Sequence, residues 1–214
     1  MITYFSYVIP RDYGFAPNPF GKYCTLATCK PHVRKSAKAG DWIFGTTSVV
    51  GGKAPKLIYA MKVSEILTFN EYYHDQRFQY KKAVMNGSLK TMYGDNIYHC
   101  LEGNWIQDDS HHSYENGKAN PYNLKKDVSV DRVLISEEFY YFGENALAIP
   151  DDQKEEFCKK GIGHKTVSAN VAKLMLAIIE AKTKELACYG EEEMRYFGDP
   201  AFFVGNFQRY DGKS

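Results

Sequence analysis

The sequence predicts an α+β protein in which a small antiparallel sheet or barrel carries flanking helices and a C-terminal helix. Three observations lead to this fold class. Residues 2–9 (ITYFSYVI) are aromatic and β-branched, as is typical of a strand. Residues 57–66 (LIYAMKVSEI) alternate apolar and polar side chains, as in a second strand. Apolar residues in the last third follow helical spacing and predict one packed stripe. That stripe consists of Val167, Val171, Leu174 and Ile178.

Local composition predicts the elements between these anchors. Pro31 to Ala39 reads as a short basic helix, because Pro favours a helix start and Gly40 a helix end. Thr68 is suited to cap a second short helix over residues 69–75. Further strands are expected at residues 23–28, 42–47, 132–136 and 139–142. The last two are expected to form a hairpin around Glu137 and Glu138.

The 214 residues predict a single domain, 1–214. Residues 1–165 form the expected core, and residues 166–214 form a C-terminal helical extension whose helical part is expected to end near Gly190. The stretch DPAFFVG (199–205) predicts a last strand. Residues 76–131 are polar and low in regularity, with short strand candidates in NIYH and NWIQ. An irregular insert of this length is usually functional or contains unrecognised structure.

Charge is nearly balanced, with a net charge of +1, so the whole molecule has no strong steering field. Its distribution is uneven, because residues 21–62 are basic and residues 131–157 are acidic. A basic region of this kind can form a phosphate-binding face, and it can equally be an ordinary solvated surface. Both alternatives stay open on composition alone.

The five cysteines are odd in number, and no two form a C-x-x-C pair. No signal peptide precedes the first strand, which predicts free thiols in a reducing cytoplasm. No apolar run approaches the length of a membrane span. Cys24, Cys29 and His32 resemble half of a zinc site, but no second half follows. The sequence therefore predicts neither a metal nor a cofactor.

Residues 105–113 (WIQDDSHHS) hold the densest group of chemically active side chains. A metal site is disfavoured because His111 and His112 are adjacent and would point to opposite faces of an extended strand. Asp108, Asp109 and His111 are candidates for acid–base catalysis, since an imidazole beside a carboxylate titrates near neutrality.

The same stretch fits recognition of a nucleobase, and this interpretation is favoured over catalysis. Trp105 offers a stacking face, while Asp108 or Asp109 can accept hydrogen bonds from amino groups of a base. Ser110 and His111 complete a polar edge. The remaining alternative is that Trp105 belongs to the core and the other residues form a solvated turn.

A second candidate wall for a base is the loop RDYGFAPNPFG. Its Tyr13, Phe15 and Phe20 rings and its Asn18 amide would face the base, and Trp42 is added to this base-binding set. The alternative is that the rings plug one end of the core. The candidate phosphate ligands lie on or beside the first helix and in GIGHKT (161–166), where the alternative is a Gly-rich helix entry. They are Lys30, Arg34, Lys35, Lys38, His164 and Lys165.

Two segments, KAGDWIFGTTS and KLIYAMKVSEILTFNEYY, resemble the core of PUA-like proteins of the EVE and ASCH type. At closer range, residues 4–165 are similar to the second family of nucleotide modification associated domain proteins. The segments that carry this similarity are RDYGFAPNPF, CTLATCKP, GDWIFGT, LIYAMKV, GSLKTMYGDNIYH, WIQDDSHHS, DRVLISEEFYYFG and GIGHK.

The PUA-like resemblance implies a barrel that holds a modified base in an aromatic pocket. The closer resemblance implies an association with modified nucleotides, often in phage or defence settings. We therefore expect the chain to bind a modified nucleobase in nucleic acid or in a nucleotide. One alternative is an enzyme that acts on such a base through the loop 105–113, and another is a protein-interaction domain. Oligomeric state and the identity of the base do not follow from the sequence.

Overall fold

The computed structural model describes residues 1–49, 54–187, 195–203 and 205–212. The strands are β1 (Tyr4–Ile9), β2 (Cys24–Leu26), β3 (Trp42–Thr47), β4 (Lys56–Lys62), β5 (Glu65–Leu67), β6 (Tyr98–Leu101), β7 (Asn104–Gln107), β8 (Val133–Ser136), β9 (Glu138–Tyr141), β10 (Leu147–Ala148) and β11 (His164–Val167). The α-helices are α1 (Pro31–Ser36), α2 (Phe69–His74), α3 (Leu89–Met92), α4 (Pro121–Val128), α5 (Lys154–Phe157) and α6 (Ala169–Ala187). These elements confirm the α+β class.

The described strands form three separate sheets. The largest has the order β10-β4-β3-β1-β11, and β9 pairs with β4 on the same edge as β10. Its strands pair antiparallel except for β1 and β3, which are parallel. A second sheet has the order β2-β8-β5, and β6 and β7 form a hairpin. The two outer edges of the largest sheet do not meet, so the barrel implied by the PUA-like resemblance is absent from the described part of the chain.

The layers are held together by side chains that alternate along each strand, as the pleat requires. On β3, Trp42 and Phe44 face the apolar cluster beneath α6, whereas Ile43 faces the second sheet. On β8, Leu134 faces the large sheet, and Ile135 faces a third cluster under the insert. The order of layers is therefore α6, large sheet, second sheet and insert.

Helix α6 packs on the large sheet, but with a different face from the expected stripe. Its buried residues are Val171, Ala172, Met175 and Ile179. Leu174 is 42% exposed, so its prediction as a packing residue is wrong. Val167 is buried but belongs to β11, so the helix begins later than the stripe assumed. The expected end near Gly190 lies outside the described residues.

Two strand predictions need correction because neighbouring segments join different sheets. Residues 57–66 form two strands, since the Val63 amide bonds Asp41 O at 2.8 Å and the Ser64 amide bonds Ile135 O at 2.8 Å. The hairpin around Glu137 is wrong as well. β8 pairs with β2 and β5, whereas β9 pairs with β4, so the chain crosses from the second sheet to the large sheet.

The insert 76–131 contains more structure than its composition indicated. A 3₁₀ turn, α3, the β6–β7 hairpin and α4 fill it. Before it, Thr68 caps α2 as expected, and its hydroxyl accepts a hydrogen bond from the Glu71 amide. Residues 199–203 form a turn instead of the expected strand, and residue 204 lies outside the described residues. None of the described helices is long and apolar enough to cross a membrane.

Candidate functional site

The loops 13–20 and 105–113, which were both expected to face a base, contact each other. The Tyr13 and Phe15 rings each lie with their centroids 4.9 Å from that of His111. Phe15 also lies 4.7 Å from His112. All four side chains are buried. The two loops therefore form one packed unit.

The space beside these loops is filled by residues 207–211, which we name the C-terminal strap. The Tyr13 hydroxyl donates to Gln208 Oε1 at 2.7 Å, and the Tyr210 amide donates to His111 O at 2.8 Å. Arg209 donates to Asp109 Oδ1 at 2.5 Å and to Ser110 O at 2.7 Å. The strap thus occupies the inner side of the expected base pocket.

His111 is enclosed by this packing. Burial lowers its pKa to about 3, and the neighbouring charge of His112 acts in the same direction. The neutral ring donates from Nδ1 to Gln208 O at 2.5 Å. An imidazole that stays neutral and holds the strap is suited to a structural role.

His112 lies between a thiol and a carboxylate, in a geometry that resembles a catalytic triad. Its Nε2 is 3.6 Å from Cys29 Sγ, and its Nδ1 is 2.9 Å from Asp127 Oδ2. The other oxygen of Asp127 accepts the Cys29 amide at 2.8 Å. One carboxylate therefore orients both the ring and the backbone of the cysteine. We name Cys29, His112 and Asp127 the thiol relay.

The electrostatics of the relay favour an imidazolium. Burial alone would lower the pKa of His112, but the charges of Cys29 and Asp127 outweigh burial and raise it to about 10. Burial would raise the pKa of Asp127, but His112 and Arg34 hold it below its usual value. Asp127 and His112 are almost completely buried, whereas Cys29 is partly exposed. A partly exposed cysteine beside a charged histidine is an arrangement that occurs at nucleophilic cysteines.

Arg34, expected to bind phosphate, instead supports the relay from inside. It is fully buried, and burial lowers the pKa of its guanidinium. Nε donates to Cys29 O at 3.0 Å, and Nη2 donates to Asp127 O at 2.6 Å. Nη1 donates to the carbonyls of Val130 and Arg132, each at 2.7 Å. Four bonds to carbonyls fix the loop of Cys29 to the end of α4.

Polar groups of the insert complete the cradle around Asp127. The Tyr98 hydroxyl donates to Asp127 Oδ2 at 3.0 Å. Gln107 Nε2 donates to the Tyr98 oxygen at 3.3 Å, and Gln107 Oε1 accepts the Asn120 amide at 2.7 Å. A hydrogen bond to a charged carboxylate stabilises the charged form. The cradle therefore keeps Asp127 ionised and oriented towards His112.

The backbone at the cysteine is strained. Cys29 has φ 55° and Lys30 has φ 40°, in the left-handed region that non-glycine residues seldom adopt. Two such residues in succession, immediately before α1, are typical of functional sites, where surrounding contacts hold the strain. The Lys30 ammonium donates to Val8 O at 2.8 Å and lies 4.8 Å from the Tyr7 ring centroid. Its charge therefore lies beside the relay.

The same three side chains could also hold a metal ion. The ligand atoms of Cys29, His112 and Asp127 all lie within 4.8 Å of one another. Thiolate, imidazole and carboxylate form a donor set that zinc accepts. Both oxygens of Asp127 already accept hydrogen bonds, Oδ1 from the Cys29 amide and Oδ2 from the His112 ring and the Tyr98 hydroxyl. Binding an ion would break part of that network, so the geometry fits the relay better.

The other residues expected to contact a base are dispersed. Trp42 is buried and stacks on Phe44, with centroids 6.2 Å apart. Asn18 is buried and accepts a bond from Lys81. Trp105 is half-buried against Phe69 on the β6–β7 hairpin. The half-buried residues Asp108 and Phe20 also belong to this set, and Phe20 lines a surface groove.

The candidate phosphate ligands divide between two places. Lys35 and Lys38 are exposed on or beside α1 and lie in the same segment as Lys30 and Arg34. His164 and Lys165 lie on β11, at an edge of the large sheet. Lys165 donates to the backbone of Glu155 at 2.9 Å. Because Arg34 is fully buried, these six residues do not form one exposed basic face.

Sequence reasoning missed the thiol relay. Cys29 was considered only with Cys24 and His32, but Cys24 is buried in the core and His32 is exposed on α1. The partners of Cys29 are 83 and 98 residues away, so no local spacing indicates them. The available signal was a lone cysteine before a short helix, together with histidine and aspartate in a polar insert.

Comparison with known protein families gives one match. The family model for nucleotide modification associated domain 2 matches residues 1–200, nearly the whole chain. Comparison with curated proteins finds no match, and comparison with solved structures finds none. The family description indicates a role in nucleotide modification systems. The chain, with its thiol relay assembled inside the matched residues, belongs to the nucleotide modification associated domain 2 family.

Proposed function

We propose that this protein is an enzyme that acts on a nucleotide or a modified nucleobase, with Cys29 as the nucleophile. The observation that carries the proposal is the alignment of Cys29 Sγ, the His112 ring and Asp127 through contacts of 3.6 and 2.9 Å. The sequence alone favoured recognition over catalysis. The relay reverses that preference, because a solely binding domain has no need of a paired thiol and imidazolium.

The roles of the three residues follow from their order. The Cys29 sulfur would form a bond to an electrophilic carbon of the base or of its substituent. The electron pair displaced from that carbon would move to the adjacent atom, and His112 would protonate it from Nε2. Asp127 would keep Nδ1 of the ring protonated and stabilise the positive charge before the transfer. The protonated atom would leave with its substituents, and water would then replace the Cys29 sulfur on the carbon and give its proton to His112.

A second candidate function is recognition of a modified nucleobase, in nucleic acid or in a nucleotide, without turnover. The observation in its favour is that Phe20 leaves the packed loop 13–20 and lines an open groove. Phage defence and DNA modification are the settings in which such recognition would operate. A protein of this kind would bind modified and plain bases with different affinities and leave both unchanged.

The nucleophile is tested by site-resolved alkylation with iodoacetamide, followed by peptide mass spectrometry. Cys100 is the internal control, because it is also partly exposed and has no such histidine and aspartate partners among the described residues. We expect Cys29 to react at least about tenfold faster than Cys100, because Cys29 lies beside the charged ring of His112. His112→Ala should slow Cys29 and leave Cys100 unchanged. Equal rates at the two sites in the unmodified protein would refute the assignment.

The substrate class is tested by incubating the protein with mononucleotides and with oligonucleotides that carry modified bases. Mass spectrometry of the nucleotides would detect a product, and mass spectrometry of the protein would detect an adduct at Cys29. We expect both to disappear in Cys29→Ser and to persist in Cys100→Ser. Binding that prefers a modified base, without product or adduct, would support the recognition function instead.

A further inference from the structure

A groove of about 490 Å³ opens on the surface beside the loop 13–20. Its volume falls within the range of small-molecule sites. Three rings and three cations dominate its described lining, and that lining contains no acidic residue. They are Phe20, Phe139, Tyr196, Lys22, Lys90 and Arg195.

The rings of the groove are held in place. The centroids of Phe20 and Tyr196 are 5.9 Å apart, and Tyr196 stacks on the buried Tyr141 at 5.4 Å. The backbone of Tyr141 bonds that of Arg195 at 2.8 Å and that of Phe197 at 2.7 Å, which fixes the segment to β9. Pre-positioned rings lose little freedom when a planar ligand packs against them.

The cations lie beside these rings. The Lys90 ammonium is 4.8 Å from the Tyr196 centroid and 5.9 Å from the Phe20 centroid. The Arg195 guanidinium is 6.0 Å from the Phe139 centroid. Asp199 pairs with Lys90 at 3.3 Å. Because three positive groups border the groove and one carboxylate approaches them, an anionic group is the complementary ligand.

We propose that the groove binds one nucleotide unit, with the base against the half-buried Phe20 and Tyr196 and the phosphate among Lys22, Lys90 and Arg195. Bases pack on aromatic rings whatever their sequence, and cations bind phosphate oxygens. This inference rests on the proposed function for the class of its ligand and assigns a second nucleotide site, because Cys29, His112 and Asp127 do not line the groove. The loop 13–20 connects the two places, because Phe15 contacts His112 and Phe20 lines the groove.

The test is calorimetric titration of the Cys29→Ser protein, so that the thiol cannot consume the ligand. Thymidine, thymidine 5′-monophosphate and a short single-stranded oligothymidylate are the probes. We expect the monophosphate to bind at least about tenfold more tightly than the nucleoside, because only the former offers a phosphate. Tight binding of the monophosphate identifies a free nucleotide as the ligand. Binding of the oligonucleotide alone identifies a strand.

The variants separate the groove from general surface charge. Lys22→Ala with Arg195→Ala should weaken binding at least about tenfold, as expected for loss of two phosphate contacts. Lys173→Ala removes an exposed lysine of α6 that does not line the groove and should leave binding unchanged. Equal affinity in the double variant and in the parent would overturn the inference. The alkylation of Cys29 does not depend on this result, so either proposal can fail alone.

Discussion

At the scale of single residues, His111 and His112 are neighbours with opposite electrostatic environments. Burial lowers the pKa of His111 to about 3, and its ring bonds a neutral carbonyl. His112 is equally buried, but the charges of Asp127 and Cys29 raise its pKa to about 10. The partner of each ring, not its exposure, therefore determines its charge.

The lowered pKa of His111 predicts how the free energy of unfolding depends on pH. Because the pKa of His111 falls from 6.5 to about 3 on folding, the unfolded chain binds the extra proton as pH decreases through this window. His111 thus lowers the free energy of unfolding by up to about 1.4 kcal/mol for each unit by which the pH falls within this window. His111→Phe should remove this part of the slope between pH 6.5 and 3, as measured by urea unfolding at several pH values.

The matched control is Tyr13→Phe, which also removes a hydrogen bond to Gln208 but no group that titrates between pH 3 and 6.5. Its pH dependence should follow that of the unmodified protein. An unchanged slope in the His111 variant would show that this ring does not carry the linkage. Loss of the hydrogen bond to Gln208 O lowers stability at every pH, so the slope is the informative quantity and not the midpoint.

Sequence reasoning located the stretch 105–113 but misjudged its two histidines. Adjacent side chains diverge on a strand, and this rule disfavoured a shared role. Residues 111 and 112 lie in a turn, where their rings are 28° from parallel with centroids 5.6 Å apart. Both rings therefore point inward, and the distant partners Asp127 and Gln208 distinguish them. No local pattern could have shown those partners.

At the scale of elements, periodicity predicted the existence of strands and helices better than their neighbours. Residues 42–47 and the cap at Thr68 were placed correctly from composition and turn chemistry. Periodicity could not predict which sheet each strand joins, because β8 and β9 have similar patterns and lie in different sheets. Pairing depends on contacts between distant segments, and each strand alone satisfies its alternation in either sheet.

The corrected face of α6 predicts which side chains stabilise the protein. Met175 is fully buried against the large sheet, whereas Leu174 is 42% exposed. Met175→Ala should reduce the free energy of unfolding by about 2–5 kcal/mol, because it leaves a cavity in the core. Leu174→Ala is the matched control and should have an effect of under about 1 kcal/mol.

Urea unfolding followed by circular dichroism measures both variants of α6. A larger effect at Leu174 than at Met175 would contradict the orientation of the helix. Such a result would instead support the packed stripe through Leu174 that the helical spacing of the sequence predicted. The comparison is direct, because the two residues are neighbours on one helix and both are truncated to alanine.

At the scale of the whole molecule, two tryptophans mark opposite sides of the layered fold. Trp42 lies in the cluster beneath α6, and Trp105 packs against the third cluster under the insert. The second sheet lies between these clusters; its Leu134 packs in the cluster between the two sheets and its Ile135 in the third cluster. Because one sheet packs on both sides, the layers are linked, and a single domain remains the prediction.

Cooperative unfolding is therefore expected. In Trp105→Phe, the fluorescence of Trp42 should change at the same urea concentration as the circular dichroism of that variant. In Trp42→Phe, the unfolding transition followed by Trp105 fluorescence should likewise have the same urea midpoint as the transition followed by circular dichroism of that variant. Coincident transitions indicate a single two-state unit. Separate midpoints would divide the insert from the large sheet and exclude one cooperative domain.

The architecture of the candidate site is the part of the structure that the sequence predicts least well. The insert 76–131 was recognised as a segment of interest, and it supplies His112 and Asp127. Their approach to Cys29 depends on Arg34, which fixes the carbonyls of Cys29 and Asp127 from within. A basic residue on a short helix predicts phosphate contact by composition. Only the packed fold shows that its donors point inward.

The C-terminal strap has a consequence for biosynthesis. A growing chain contains Cys29, His112 and Asp127 about eighty residues before it contains Gln208 and Tyr210, which bond His111. The thiol relay can therefore assemble on the ribosome while its neighbouring loop still lacks the strap. We therefore expect Cys29 to be more accessible to alkylation in ribosome-bound chains that lack the strap than in released chains. A purification tag joined immediately after residue 212 would lie close to the histidines, so the N-terminal side is the safer position for one.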